Sequence, residues 1–125
     1  MGSRPRSNRA RGRAAEEAGV RWLESQGYQV VERNVRTRAG EIDLVARDGA
    51  TLCFVEIKAR GSDAFGTAAA AVGAVKQRRL CRAAALYLAR RGLHLTPSRF
   101  DVLALDRRDG AWIYTLIRDA FPFGY

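Results

Sequence analysis

The sequence predicts an α/β sandwich on a central mixed sheet of about five strands flanked by helices, with elements in the order α-β-β-β-α-β-β. Three observations predict it. Two segments carry apolar residues at helical spacing, five carry them in alternation or short apolar runs, and Asp-Gly turns join two of the strand pairs. A chain of 125 residues with 47% hydrophobic content is enough for one domain with a real core.

Residues 1–13, MGSRPRSNRARGR, hold five arginines and almost nothing apolar. Such a segment cannot offset its own ordering entropy, so residues 1–12 are expected to form a disordered basic arm before a single domain over 13–125. The arm, Arg11 included, can hold phosphates or serve as a plain leader. From Ala14 to Gln26 the pattern is helical. Ala15, Ala18, Gly19, Trp22 and Leu23 share a face, and Gly27 is placed to end the helix. Glu16 lies beside that face, and Glu17 projects away from it. YQVVERNVRT, from Tyr28, is the first strand. A hairpin follows, then a loop GSDAFGT at 61–67, in which Phe65 reads as a core plug before a base-stacking residue. A long helix spans about Ala71 to Arg91. SRFDVLALD and AWIYTLIRD are two further strands, joined by a turn at Arg108-Asp109-Gly110. Trp22, Trp112 and Tyr114 read as packing residues, and Asp101 as a structural ion-pair partner.

The hairpin, AGEIDLVARDGATLCFVEIKAR (39–60), is the most informative stretch. Asp48-Gly49 is a strong two-residue turn signal. With those residues as the turn, Val45 faces Leu52, Asp43 faces Phe54 and Glu41 faces Glu56. Alternation puts Ile42, Leu44, Ala46, Cys53, Val55, Ile57 and Ala59 on one apolar side. The other side is apolar near the turn (Val45, Leu52, Phe54) and charged at its far end (Glu41, Asp43, Glu56, Lys58). Like charges opposed on a sheet repel, and a partly buried carboxylate needs compensation. One lysine does not balance three carboxylates, whereas a hard divalent cation does. An ordinary charged strand end, solvated or paired to arginines, fits the same residues.

A formal charge of +9 points to a polyanionic partner, nucleic acid before a membrane surface. Of 22 basic residues only Lys58 and Lys76 are lysine. In a chain that uses arginine wherever a cation serves, those two positions single out a compact, titratable ammonium. Lys76 falls in the middle of the long helix's apolar stripe, so it must snorkel or reach an anion, either the carboxylates or a bound phosphate. Gln77, Arg78 and Arg79 follow as a phosphate-facing or simply solvated helix end. Cys53 and Cys81 have no metal-ligand spacing and read as buried reduced thiols. No apolar run is long enough to span a bilayer, and a soluble cytoplasmic protein without a membrane partner is expected.

GEIDLVA followed by FVEIKAR resembles the D…ExK core of the restriction-endonuclease-like PD-(D/E)xK nuclease superfamily. The wider set, AEEAGVRWLESQGYQVVERN, GEIDLVA, FVEIKAR, FG, KQRRL and RFDV, is similar to the YraN-type family from Arg11 to Phe121. Ala15 departs from it, standing where relatives commonly have glycine. The resemblance implies a restriction-endonuclease-like sandwich and kinship with archaeal Holliday-junction resolvases. It implies hydrolysis of phosphodiester bonds with Mg²⁺, for which Mn²⁺ can substitute. Asp43 and Glu56 would bind the ion, with the Ile57 carbonyl and a contribution from Glu41. Lys58 would orient or deprotonate the attacking water, and Glu16 would act as an outer acid. Lys76, Gln77, Arg79, Arg60 and Arg11 are the expected nucleic-acid contacts, DNA before RNA. A junction resolvase presents two sites, hence a homodimer. Two other classes remain open on the sequence: a nucleic-acid-binding module that does not cleave, and a protein-interaction domain with a structural acidic end.

Overall fold

The computed structural model describes residues 3–60 and 72–124, with side chains from residue 12 onward. Arg11's side chain and the loop carrying Phe65 lie outside the described residues. The elements are α1 (Ser3–Ser25), β1 (Gln29–Thr37), β2 (Gly40–Asp48), β3 (Thr51–Arg60), α2 (Ala74–Arg90), β4 (Ser98–Arg108) and β5 (Ala111–Phe121). Their order is the expected one. α1 begins at Ser3, however, so the backbone is helical where composition predicted a disordered arm. Hydrophobic periodicity marks only the turns that pack on a core, and arginine itself is a good helix former.

The five strands lie in the order β1-β2-β3-β4-β5. β3 and β4 pair in parallel, with α2 as the crossover between them, and the other three pairs are antiparallel. The sheet is therefore mixed, with a helix on each face. Leu44, Ala46, Cys53, Val55, Ile57, Leu103 and Leu105 pack with Ala15, Val20 and Leu23 of α1. Val45, Leu52, Phe54, Phe100 and Val102 pack with Leu80, Ala84, Tyr87 and Leu88 of α2. Trp22 stacks on Tyr114 at 5.0 Å between ring centres, closing the first layer. Ile42 breaks the alternation and joins the α2 cluster. α1 comes closest to the sheet at Gly19, where a Cβ would stand 3.1 Å from Leu103 Cδ2 and 3.3 Å from Ile57 Cγ2.

The hairpin register corrects the sequence reading. Asp48 pairs with Thr51, Arg47 with Leu52, Val45 with Phe54 and Leu44 with Val55. The two turn residues are thus Gly49 and Ala50, and only Gly49 has a positive φ, of 62°. That pattern suits a turn demanding glycine at its first position. Asp48 stays in the ladder because Arg99 holds its carboxylate at 2.7 Å. Each residue of β2 moves by two relative to β3. Since side chains alternate with a period of two, the shift leaves the faces unchanged while every partner changes. Glu41 no longer faces Glu56: it pairs with Arg36 of β1 in register and across 3.5 Å. At the β4–β5 turn, Asp109 and Gly110 both take positive φ, 49° and 78°, as a type I′ two-residue turn requires.

Candidate functional site

The β2–β3 ladder is registered as far as Leu44↔Val55, while β3 continues beside β4 to Arg60. Beyond that last pair the register, continued, sets Asp43 opposite Glu56. Asp43 takes over part of the missing ladder: its Oδ2 accepts the Ile57 N–H at 2.9 Å. In a strand the carbonyl of a residue points to the same side as its N–H, so the Ile57 oxygen faces this opening too.

Glu56 lies on the face covered by α2 and is only 5% exposed. Its counter-ion is Lys76, whose Nζ meets Glu56 Oε2. Of the two outcomes open to a lysine in an apolar stripe, Lys76 thus reaches an anion. Burial works against the Lys76 charge, but Glu56, with Asp43 behind it, outweighs burial and holds the ammonium above the usual lysine range. Asp43 fares differently. Burial first, then the facing Glu56 charge, push its carboxyl up to about 8, against the relief given by the Ile57 N–H. Two carboxylates therefore face one lysine, and at Asp43 the neutral form is the favoured one.

The remaining predicted residues fall around this pair. Glu16, on α1, is half-buried, and desolvation raises its carboxyl; Arg33 opposes the rise, while Glu41, Glu17 and Glu56 add to it. Glu17 is exposed and bound to Arg33 at 2.6 Å, on the solvated side the helix pattern gave it. Lys58 is exposed and makes no hydrogen bond or ion pair among the described residues. Gln77 turns inward, donating to the Val72 carbonyl at 2.9 Å as α2 begins. Arg60 grips Asp106 with two parallel bonds, Nε to Oδ1 at 3.0 Å and a terminal nitrogen to Oδ2 at 2.9 Å. The sequence reading assigned both to phosphate, yet each has a partner inside the fold. Arg79 is exposed one turn beyond Lys76. The acid–acid opposition of Asp43 and Glu56 was missed, because the sequence does not choose between Asp48-Gly49 and Gly49-Ala50 as the turn.

Among the described residues no cluster of three or more His, Cys, Asp or Glu side chains is arranged to hold a metal ion. The donor set here is smaller: two carboxylates and a main-chain carbonyl, all hard oxygen. It fits Mg²⁺, which commonly takes one or two carboxylates and fills its octahedron with water and phosphate oxygens.

Fold and site together define an α/β protein whose central hairpin opens around an under-compensated acid pair, Glu56 buried and Asp43 partly so. The model of the uncharacterised protein family UPF0102, the YraN-type family, matches residues 15–105, and the chain belongs to that family. It is 50% identical over 111 residues to a UPF0102 protein of Symbiobacterium thermophilum, covering 88% of this chain and 94% of the relative. A UPF0102 protein of Desulforapulum autotrophicum is 46% identical over 110 residues, covering 88% and 91%. Another, of a Janthinobacterium species, is 44% identical over 115 residues, covering 91% and 93%. No helix among the described residues is long and apolar enough to cross a membrane.

Proposed function

We propose that the chain is a metal-dependent endonuclease of the restriction-endonuclease-like class, hydrolysing phosphodiester bonds in DNA before RNA, with branched or junction DNA among its candidate substrates. The observation that carries this reading is the Asp43–Glu56 pair, held across an opened hairpin with one lysine for two acids. Asp43, Glu56 and the Ile57 carbonyl would hold Mg²⁺ or Mn²⁺. A bound ion supplies charge neutralisation at a phosphate and an acidified water. The chain supplies the rest. Lys76 keeps the Glu56 carboxylate turned into the site. Lys58, two residues along the same face of β3, positions a water or a phosphate oxygen. Glu16 and Glu41 stand outside as further acids. The +9 charge draws a polyanion to this surface. Two free buried cysteines suit a reducing, cytoplasmic setting. A homodimer would present two such sites to a junction.

A second reading is a nucleic-acid-binding module that does not cleave. It is favoured by Lys58, which touches neither carboxylate, and by the hold of Lys76 on Glu56.

Cleavage assays on single-stranded, duplex, flap and four-way-junction DNA with Mg²⁺, Mn²⁺ or EDTA separate the two. The first reading expects cleavage with either ion and none in EDTA. It also expects Lys58→Arg to lose about 10²–10⁴-fold in rate with binding little changed, because a guanidinium neither fits nor gives up a proton. Binding to any of these DNAs without cleavage supports the second reading, and cleavage in EDTA removes the metal from the first.

A further inference from the structure

We infer that the cleft between the β1–β2 turn and α2 is a pocket for one unpaired base of a bound nucleic-acid strand, an inference that rests on the nucleic-acid partner proposed above. The cleft is lined by Arg38 and Ala39 at the tip of the turn and by Arg82, Ala85 and Leu86 on α2, and it has a volume near 420 Å³. That is the size range of small-ligand sites. The turn is built to stay in place. The Thr37 hydroxyl donates to the Gly40 carbonyl at 2.8 Å and accepts the N–H groups of Ala39 and Gly40, each at 3.1 Å. Turn and helix lie against each other, since a Cβ at Gly40 would stand 3.9 Å from Arg79 Cβ.

The chemistry of the lining is specific. Ala39, Ala85 and Leu86 give the cleft a mostly apolar lining, to which Arg38 and Arg82 also contribute. Arg33, Arg36, Arg60, Arg91, Arg99 and Arg118 each bind a carboxylate. Arg38, Arg79 and Arg82 bind none among the described residues, as is also true of Arg13, Arg21, Arg47, Arg78, Arg90, Arg107 and Arg108, and what sets the three apart is their place at one cleft. The cations at this cleft and on the path to it are thus left for a ligand. An open apolar cleft with arginines in its lining can take the face of a base and leave its phosphate outside against cations.

Position supports the same occupant. An α-helix rises about 1.5 Å per residue, so Arg82 stands roughly 9 Å along α2 from Lys76, with Arg79 midway. A strand with one phosphate at the Asp43–Glu56 pair can follow those arginines and seat a nearby base in the cleft. A second copy of the chain is the poorer occupant, because +9 meets +9 and the lining includes two arginines. A base stacked inside a duplex cannot enter, so the cleft selects single-stranded or splayed segments.

The test is fluorescence anisotropy on the full chain in EDTA, so that cleavage plays no part. The probes are a short oligothymidylate, an abasic deoxyribose-phosphate strand of the same length, and a duplex. Oligothymidylate should bind on the order of 10-fold more tightly than the abasic strand. Ala85→Phe fills the cleft without changing charge and should abolish that difference while leaving the salt slope alone. Arg38→Gln with Arg82→Gln, both at exposed positions, should reduce the base preference. The pair should also flatten the slope by about 0.7 for each phosphate that is no longer neutralised, which keeps the test decisive should Ala85→Phe misfold. Equal binding of the two strands by the unaltered chain overturns the inference. So does a base preference that survives both variants, or an oligomeric state that shifts in Ala85→Phe while the preference persists. Failure to bind any strand overturns the nucleic-acid partner and this inference with it. A base preference here, together with no cleavage of any DNA in the Mg²⁺ and Mn²⁺ assays above, sinks only the nuclease reading.

Discussion

Asp101 and Asp43 are both acids drawn into the same sheet, and the fold treats them in opposite ways. Asp101 is fully buried and surrounded by donors: the Tyr28 hydroxyl at 2.7 Å, Arg99 Nε at 2.9 Å and the Asp119 N–H at 2.9 Å. Arg99 also reaches Asp48, which ties three strands and the end of α1 into one network. Burial, followed by the bond to Asp101, pushes the Tyr28 phenol up to about 12, so it remains a donor. Asp43 has a single main-chain donor and a second carboxylate in front of it. An acid given three donors is architecture. An acid left short, where the sheet could have supplied more, is a seat for a cation.

This contrast can be broken by substitution. The largest effect should come from Asp101→Ala, which strands Arg99 and the Tyr28 hydroxyl and should cost about 3–5 kcal/mol, read from urea unfolding midpoints. A loss below about 1 kcal/mol would mean that the network is ornamental. Next, Mg²⁺ at about 100 times its dissociation constant should stabilise the chain by roughly 2.7 kcal/mol near pH 8, and should do nothing for Asp43→Asn. Equal stabilisation of both proteins would place the ion elsewhere.

Asp43→Asn itself, without metal, should stabilise near neutral pH by about 0.5–2 kcal/mol, since it removes an acid that must take up a proton on folding yet keeps an acceptor for Ile57. Asp101→Asn should not stabilise, and a gain there would erase the distinction between the two acids. The two regions should also titrate with opposite signs. Asp43 is raised from the ordinary 3.8 to about 8, so the native state keeps a proton that the unfolded chain has released. Its contribution is full below about pH 4 and is lost as the pH climbs through 8. Asp48 is lowered, chiefly by its hydrogen bond from Arg99, so its contribution is present above the ordinary carboxylate range and lost on acidification. Thermal scans across pH should show both edges, with Asp43→Asn removing only the alkaline one.

How legible all this was in the sequence depended on the period of each signal. Strand faces could be read because Leu44, Val55 and their neighbours alternate, and a slip of two leaves alternation untouched. Register could not, since Asp48-Gly49 and Gly49-Ala50 are both plausible turn pairs and the choice is made by Arg99, 51 residues along the chain from Asp48. Glu41 lost its assigned partner for that reason. Lys76 stood out as an odd lysine, but its grip on Glu56 depends on the crossover that brings α2 over β3. The fates of Arg60 and Gln77 were equally invisible, because Asp106 and the Val72 carbonyl compete for them only once the chain has folded. The cleft had no local signature at all: a two-residue turn and one helix face meet there from separate parts of the chain.

The close approach at Gly19 carries a mechanical consequence. The β-carbon that glycine lacks would press on Ile57, whose main chain holds Asp43 in place. Helix and acid pair are therefore in contact through Ile57, whose side chain meets Gly19 and whose N–H meets Asp43. A methyl group added at Gly19, uncharged and chemically inert, would lean on the strand that sets the spacing of Asp43 and Glu56. The fineness with which those two carboxylates can be placed is thus governed from the opposite side of the sheet, by the absence of a side chain.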